Sequence, residues 1–423
     1  MACRLPGMEI SNMAAVLQAN TDCITVVPAD RWDVKDYPDM PSMGGWLAES
    51  PFHIDPIFSQ LKPAAQKVTD PQQNLALEAS WEVYSAAGFH AEKLTDVAVA
   101  AGVMNLDSNL MWDEKSCNTY TAAGNASSMI NGQISYMLHL TGDSVSIDTA
   151  CASALSATKF VSSCLLEGRA AGISVGVNVI GLPKITMALE KAKMISDRCK
   201  PFHKEANGYG RGEGVAAVAL RPMMAMGASQ VEPHALLAGI FQNSDGRSVS
   251  PITKPSVEQQ KACMAKVWQD GLSCGAMECH GTGTPTGDPI EVKSVGDIFG
   301  SQLTCLGALK GNINHTESAA GLAGFIKLVK VVQQHTMFPH GAGLWRPDLS
   351  IELAPALMLS ENCQALRADA NAAGVNCFGF SGTNVHARIL PLPEDTSLEA
   401  VQISDAQVFC WLPKGWNFRF CHC

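Results

Sequence analysis

Short apolar runs with the reach of buried strands alternate with helical stretches along most of this chain. A strand–helix alternation sustained over such a length folds as an α/β protein with covered sheets. Asp70 and Pro71 stand where a helix takes its N-cap and first turn, Leu77, Trp81 and Tyr84 follow at helical spacing, and Gly88 is a natural stop. Val145 and Ile147 alternate with serines and run into Asp148-Thr149-Ala150-Cys151, after which ASALSATKFVSSCLLEG reads as helix as far as Gly168. Buried strands are predicted over Ile173 to Ile180, Val215 to Leu220, Ala235 to Phe241, Met277 to Cys279 and Leu306 to Leu309. Helices are predicted over Ser256 to Trp268 and Ser318 to Gln334. Residues 30–65 are proline-rich without a period, and are read as an elaborated surface or cap region.

Composition narrows the function classes. With 47% hydrophobic and 17% charged residues, the chain has the material for a core and is not of the disordered class. A net charge of −10 supplies no global field for nucleic acid or an anionic membrane. The 15 cysteines are scattered through apolar runs, the pattern of buried thiols in a reducing compartment and not of a secreted disulfide framework. No uncharged apolar run is long enough to span a membrane, and MACRLPGMEI lacks the basic and apolar regions of a signal peptide. An intracellular setting is therefore expected.

Three groups with chemical potential sit at predicted strand ends, where α/β folds gather their ligands. A strand runs into Cys151 and a helix leaves from it, an arrangement that exposes a nucleophile and, through the helix dipole, favours its thiolate. His280 follows a strand in ECHGTGTPTGDPIEV, beside a Gly/Thr loop through which backbone can approach a ligand. His315, in LKGNINHTESAAGLAG, also follows a strand and has Lys310 and Glu317 on either side. One cysteine and two histidines so placed point to nucleophilic catalysis on a thioester or an amide. The glycine patterns of nucleotide sites are not in place. The spacing matches no zinc site, and the terminal Cys421-His422-Cys423 has no second cluster, so no metal is expected.

The motifs that carry these groups resemble a known family. DPQQNLALEASWEVYSAAG, YTAAGNASSMINGQISYMLHLTGDSVSIDTACASALSA, CKPFHKEANGYGRGEGVAAVALRP, NSDGRSVSPITKP, ECHGTGTPTGDPIEV, LKGNINHTESAAGLAGFIK and AGVNCFGFSGTNVHARIL follow one another to about Leu390. Their kind and order are similar to the β-ketoacyl synthases, the condensing domains of polyketide and fatty acid synthases. The ketosynthases of modular type I polyketide synthases are nearest in character. The resemblance implies a thiolase-like α/β fold, two similar βαβαβαββ halves in a five-layer αβαβα sandwich, and a homodimer. The halves are expected at 1–225 and 226–391, with 392–423 an unassigned tail.

The resemblance also implies roles. Cys151 accepts an acyl chain from a thioester, and His280 and His315 stabilise the enolate left when a malonyl-type thioester loses CO2. Lys310 and Glu317 organise the histidines. The backbone N–H groups of Cys151 and Phe380 form the oxyanion hole, Thr282 and Thr284 hold the phosphopantetheine arm, and Phe380 gates the acyl pocket. No metal or redox cofactor is implied, because phosphopantetheine arrives on an acyl carrier protein. Carriers are usually acidic, so a basic patch is expected at the site entrance. The implied activity is β-ketoacyl-[acyl carrier protein] synthase; the alternative is a non-catalytic ketosynthase-like scaffold or dimer partner. Asn384, His386, Asp288, Glu291 and Arg211 are read as structural.

The chain departs from the family pattern in three places. The apolar strand that opens the family reads as missing ahead of MACRLPG, at a cost in unpaired backbone. Asn314 stands in place of a glycine, where it is expected to keep the turn but crowd the site. His203 replaces an aspartate. In the tail, Trp411, Trp416, Phe418 and Phe420 are expected as an exposed aromatic patch.

Overall fold

The structure is a computed structural model and describes residues 1–53, 60–111, 115–223, 231–300, 304–341, 357–367, 372–392 and 408–411, the last by backbone alone. The first half is built from β1 (Ala2–Leu5), α1 (Pro71–Ala86), β2 (Val97–Gly102), α2 (Ser128–Met137), β3 (Ser144–Ile147), α3 (Ser153–Leu166), β4 (Ala171–Asn178) and β5 (Gly214–Pro222). The Asp70 carboxylate caps α1 by accepting the Gln72 N–H, and Pro71 supplies its first turn. The strands lie in the order β3-β2-β4-β5-β1. The first three are mutually parallel, and β5 is antiparallel to β4.

The second half repeats the plan with β6 (Pro233–Ser244), α4 (Val257–Val267), β7 (Cys274–Glu278), α5 (Gly287–Phe299), β8 (Thr304–Gly307), α6 (Ala320–Gln334), β9 (Ala372–Phe378) and β10 (Thr383–Leu390). Its order is β8-β7-β9-β10-β6, the same 3-2-4-5-1 arrangement. Strands β7, β8 and β9 are parallel, and β10 runs antiparallel to both β9 and β6.

The layers follow from which face each apolar set covers. Leu155, Val161 and Leu165 of α3 and Leu322, Phe325 and Val329 of α6 share one core with residues from both sheets, so these two helices form the middle layer. Leu77, Val83 and Ile134 of α1 and α2 close the outer face of the first sheet. Met264, Val292 and Val295 of α4 and α5 close the outer face of the second. Strands buried on both faces read as nearly continuous apolar runs, which is why their sequences carry no alternation.

The expectation of a missing first strand is corrected in part. Ala2, Cys3 and Arg4 pair antiparallel with Ala217, Ala216 and Val215 of β5, and Met1, Ala2, Cys3 and Leu5 are buried. Farther along β5, a strand from the tail takes up the ladder. This is β11 (Val408–Trp411), whose Val408, Phe409 and Cys410 pair antiparallel with Pro222, Arg221 and Leu220. Its other edge pairs with Leu237, Leu236, Ala235 and Pro233 of β6, joining the two sheets. Both β1 and β11 are antiparallel to β5, so they run in one direction, end to end. Trp416, Phe418, Phe420 and Cys421-His422-Cys423 lie outside the described residues, and so does the side chain of Trp411.

Candidate active site

The bend that carries Cys151 is held by local polar chemistry. Ala150 takes a left-handed φ of +55°. The Ser153 hydroxyl donates to the Ala150 carbonyl at 2.6 Å and accepts the Thr149 N–H at 2.9 Å, locking the bend before α3 begins. The FGFSGTN loop lies against this bend so closely that a Cβ on Gly379 would collide with the Thr149 carbonyl. That approach brings the Phe380 backbone N–H close enough to Cys151 to oppose, slightly, the rise that burial imposes on its thiol. The Cys377 thiol donates to the Cys151 carbonyl at 2.9 Å from the other side. Phe380 itself is 44% exposed, at the mouth of the site.

His280 leaves the end of β7, and His315 follows a one-turn helix over Lys310–Ile313. The imidazole centroids are 5.5 Å apart and nearly perpendicular. The Cys151 sulfur and one nitrogen of each ring lie within 4.8 Å of one another. The Glu317 N–H donates to His315 Nδ1 at 3.1 Å, and the Phe378 N–H donates to His280 Nδ1 at 3.4 Å. A neutral imidazole that accepts at Nδ1 carries its proton on Nε2. His315 Nε2 is buried with no hydrogen-bond partner among the described residues. Both rings are thus set to donate into a common space. A metal would need those nitrogens as acceptors, so the donor arrangement does not fit one.

Burial dominates the electrostatics. It pushes both histidines well below the usual imidazole range, and the Lys310 ammonium pushes in the same direction. The rings therefore stay neutral at physiological pH. Burial also drives the Cys151 thiol well above the ordinary cysteine range, with Cys377 and Glu317 adding to the rise and Lys310 opposing it. In the resting site burial therefore acts against the thiolate that the helix terminus is expected to favour.

Lys310 and Glu317 reach the histidines by different routes. Lys310 Nζ donates to the His280 carbonyl at 2.6 Å. The Glu317 carboxylate turns away to a two-pronged pair with Arg211, at 2.7 and 2.8 Å, and contacts His315 through its backbone N–H. That pair holds Glu317 at a φ of +43°, a strained backbone for a non-glycine residue. Arg211 also donates to Thr186 Oγ1 at 2.7 Å. Asp288 accepts the N–H groups of Phe202 and Gly283, so it ties the Gly/Thr loop to the loop before it. Thr282 and Thr284 sit side by side on that loop with hydroxyls 3.2 Å apart.

Two expected weak points resolve otherwise. Asn314 takes φ +64°, as expected, but does not crowd the histidines. Its side chain accepts the Cys199 N–H at 2.8 Å and donates to the Asp197 carbonyl at 3.0 Å, pinning the adjacent loop. His203 Nδ1 accepts the Glu205 N–H at 2.9 Å, the acceptor role an aspartate plays in such a turn. Glu291 was legible only as a structural residue. It accepts the His280 N–H at 2.6 Å and the Gly281 N–H at 2.8 Å, directly behind the site.

Paired 3-2-4-5-1 halves around a cysteine at a strand-to-helix bend and two histidines define a thiolase-like protein. The family models agree with this architecture: "Beta-ketoacyl synthase, N-terminal domain" matches residues 1–224, and "Beta-ketoacyl synthase, C-terminal domain" matches residues 234–342. The chain belongs to the β-ketoacyl synthase family, whose members form carbon–carbon bonds by acyl transfer. It is 33% identical to a mycocerosic acid synthase-like polyketide synthase of Mycolicibacterium smegmatis, over 95% of this chain and 20% of that protein. It is 35% identical to the hybrid PKS-NRPS synthetase apdA of Emericella nidulans, over 92% of this chain and 11% of that protein. The chain thus spans about a fifth or less of these relatives. Among solved structures, the oxazolomycin ketosynthase domain OzmH KS7 of Streptomyces albus superposes with a TM-score of 0.85 at 25% identity, covering 93% of this chain and 73% of that one. The ketosynthase from module 6 of the Bacillus subtilis bacillaene synthase gives 0.84 at 28% identity, covering 93% and 72%.

Proposed function

We propose that this chain is a β-ketoacyl-[acyl carrier protein] synthase performing decarboxylative Claisen condensation. The observation that carries the proposal is the convergence of Cys151 with two imidazoles whose Nδ1 atoms both accept backbone N–H groups. In the first half-reaction the Cys151 sulfur bonds to the acyl carbonyl carbon and the carrier C–S bond breaks. The thiol proton leaves with the departing pantetheine sulfur. The tetrahedral oxyanion is stabilised by the N–H groups of Cys151 and Phe380. In the second, the malonyl C–C bond breaks and CO2 departs, while Nε2–H of His280 and His315 donate to the enolate oxygen. Neutral imidazoles suit this work, since they stabilise charge without being depleted by protonation. The enolate carbon attacks the acyl-Cys151 carbonyl, the C–S bond breaks, and the released sulfur takes up one proton.

Lys310 and Glu317 serve as positioning residues, Thr282 and Thr284 hold the pantetheine arm, and Phe380 gates the acyl pocket. No metal or redox cofactor has a step. An acyl carrier protein is the proposed partner. Lys200, packed on Gly283, and the exposed Lys204 provide positive charge beside the Thr282–Thr284 loop. A homodimer is proposed through β3, which among the described strands pairs only with β2 and leaves one edge open. Tyr136 and Met129 of α2 are exposed. No described helix is long and apolar enough to cross a membrane. The scaffold reading draws no support from a site whose three reactive groups converge.

Intact-protein mass spectrometry after incubation with an acyl-pantetheine thioester tests the reading. The wild-type chain should gain one acyl group and Cys151→Ala none. Malonyl-pantetheine should then release CO2 and yield a β-ketoacyl product. An adduct that persists in C151A, or loading without any condensation, overturns the proposal.

A further inference from the structure

A chain of buried polar groups runs from the back of the second half to His280. The Trp268 Nε1–H donates to His386 Nε2 at 2.7 Å. His386 Nδ1 lies 2.7 Å from Asn376 Oδ1, on the strand-paired residue across β9 and β10. Asn376 Nδ2 donates to Glu291 Oε1 at 2.9 Å. Glu291 grips the His280 and Gly281 N–H groups. Four elements of the second half meet here, since Trp268 ends α4, Glu291 lies on α5, and Asn376 and His386 lie on β9 and β10.

The direction of every bond in this chain is fixed from both ends, by an indole that can only donate and a carboxylate that can only accept. An indole can only donate. His386 Nε2 must therefore accept, which puts the imidazole proton on Nδ1 and makes it the donor to Asn376 Oδ1. The Asn376 amide is then oriented with its NH2 toward the Glu291 carboxylate. Without the indole, His386 is free to carry its proton on Nε2, which leaves the Asn376 carbonyl facing an unprotonated Nδ1 while Glu291 still draws the amide NH2. A flipped amide would aim a carbonyl at the Glu291 carboxylate, the group that holds the His280 backbone. Trp268 is itself well placed to hold its end: Phe299 packs edge-on at 5.2 Å, and the Arg388 guanidinium lies over the ring at 5.1 Å, paired with Asp270.

We infer that Trp268 is a positioning residue for His280, acting through His386, Asn376 and Glu291, and that it supports the decarboxylation step in particular. The inference deepens the ketosynthase reading above and rests on it. Cys151 is held by a separate elbow, and β9 is held by its ladders to β7 and β10, so acyl loading does not depend on Trp268.

The experiment compares wild type, Trp268→Phe and Phe299→Leu as the full chain. It measures acyl loading of Cys151 and CO2 release from malonyl-pantetheine. W268F should lose CO2 release by about tenfold, the scale of a small displacement at a catalytic group, with loading within about twofold of wild type. F299L, which disturbs the packing of the indole but not its hydrogen bond, should not separate the two rates. Equal rates in W268F and wild type, a parallel fall of both rates, or the same split in F299L overturns the inference. Nitrogen-15 NMR of labelled histidine in the wild type gives an independent reading, with His386 assigned through its contact with the indole N–H. A proton on Nδ1 is expected, and a proton on Nε2 overturns the inference whatever W268F does. A wild-type chain that never releases CO2 defeats the ketosynthase reading, while the tautomer still decides the hydrogen-bond chain.

Discussion

At Cys151 two effects of opposite sign meet. The start of α3 favours an anion, while burial and the nearby Glu317 disfavour one, and burial wins. The sign of the pH dependence follows. A thiol raised above its ordinary value is neutral at pH 7, and its thiolate fraction climbs with pH. Alkylation of Cys151 by iodoacetamide should therefore rise about tenfold per pH unit from 7 to 9 without levelling off, since only the thiolate reacts. Mass-spectrometric mapping of the modified cysteine at each pH reads this directly, and a plateau below pH 8 contradicts it. The histidines shift the other way: their depressed values keep them neutral from pH 8 down past 6, so protonation of His280 and His315 removes no activity in that window. The proposed catalytic residues were legible because each lies in a local strand-end motif. Their protonation states were not, because burial and the Nδ1 partners come from distant segments.

Strands and helices were mostly legible from apolar runs and caps. The helix predicted over Ser256 to Trp268 spans Val257–Val267, and that predicted over Ser318 to Gln334 begins at Ala320, behind a tight turn at Glu317–Ala319. The tail was not legible as a strand. VFCW has no alternation of its own, and its place is defined by two edges about 170–190 residues upstream, as its partners Leu237 and Pro222 show. Deleting residues 392–423 should open the edges of β5 at 220–222 and of β6 at 233–237. Each ladder hydrogen bond lost costs about 0.5–1.5 kcal/mol net, so a loss of a few kcal/mol is expected. A lower urea midpoint, with faster hydrogen exchange at Leu220, Arg221 and Leu236, is the expected result. An unchanged midpoint would show that β11 contributes nothing.

For the whole molecule, the open edge of β3 is the feature with a consequence. An unpaired edge of a buried sheet invites a second copy to extend it. Tyr136→Lys places a charge on the exposed face of α2 beside that edge and should convert the proposed dimer to a monomer. Sedimentation velocity measures this, and a wild-type chain that is already monomeric sinks the dimer proposal. Two similar halves were expected from the family resemblance and not from the residues, because the halves share topology without visible sequence repetition; their 3-2-4-5-1 strand order came from the structure. Topology depends on where apolar faces lie, and many sequences satisfy the same pattern.

By itself the sequence determined the layered α/β class, the strand-end positions of Cys151, His280 and His315, and the turn chemistry at Asp70 and Asn314. These depend on residue type and spacing over a few positions, where backbone preference and apolar period act. Only the tertiary structure decided that Glu317 pairs with Arg211, that Asn314 points away from the site, and that Trp268 is linked to His280. Those outcomes turn on the direction of buried hydrogen bonds between segments up to about 120 residues apart, as from His386 to Trp268. A buried donor or acceptor must find its partner wherever the fold places one, and no local pattern in the chain records where that is.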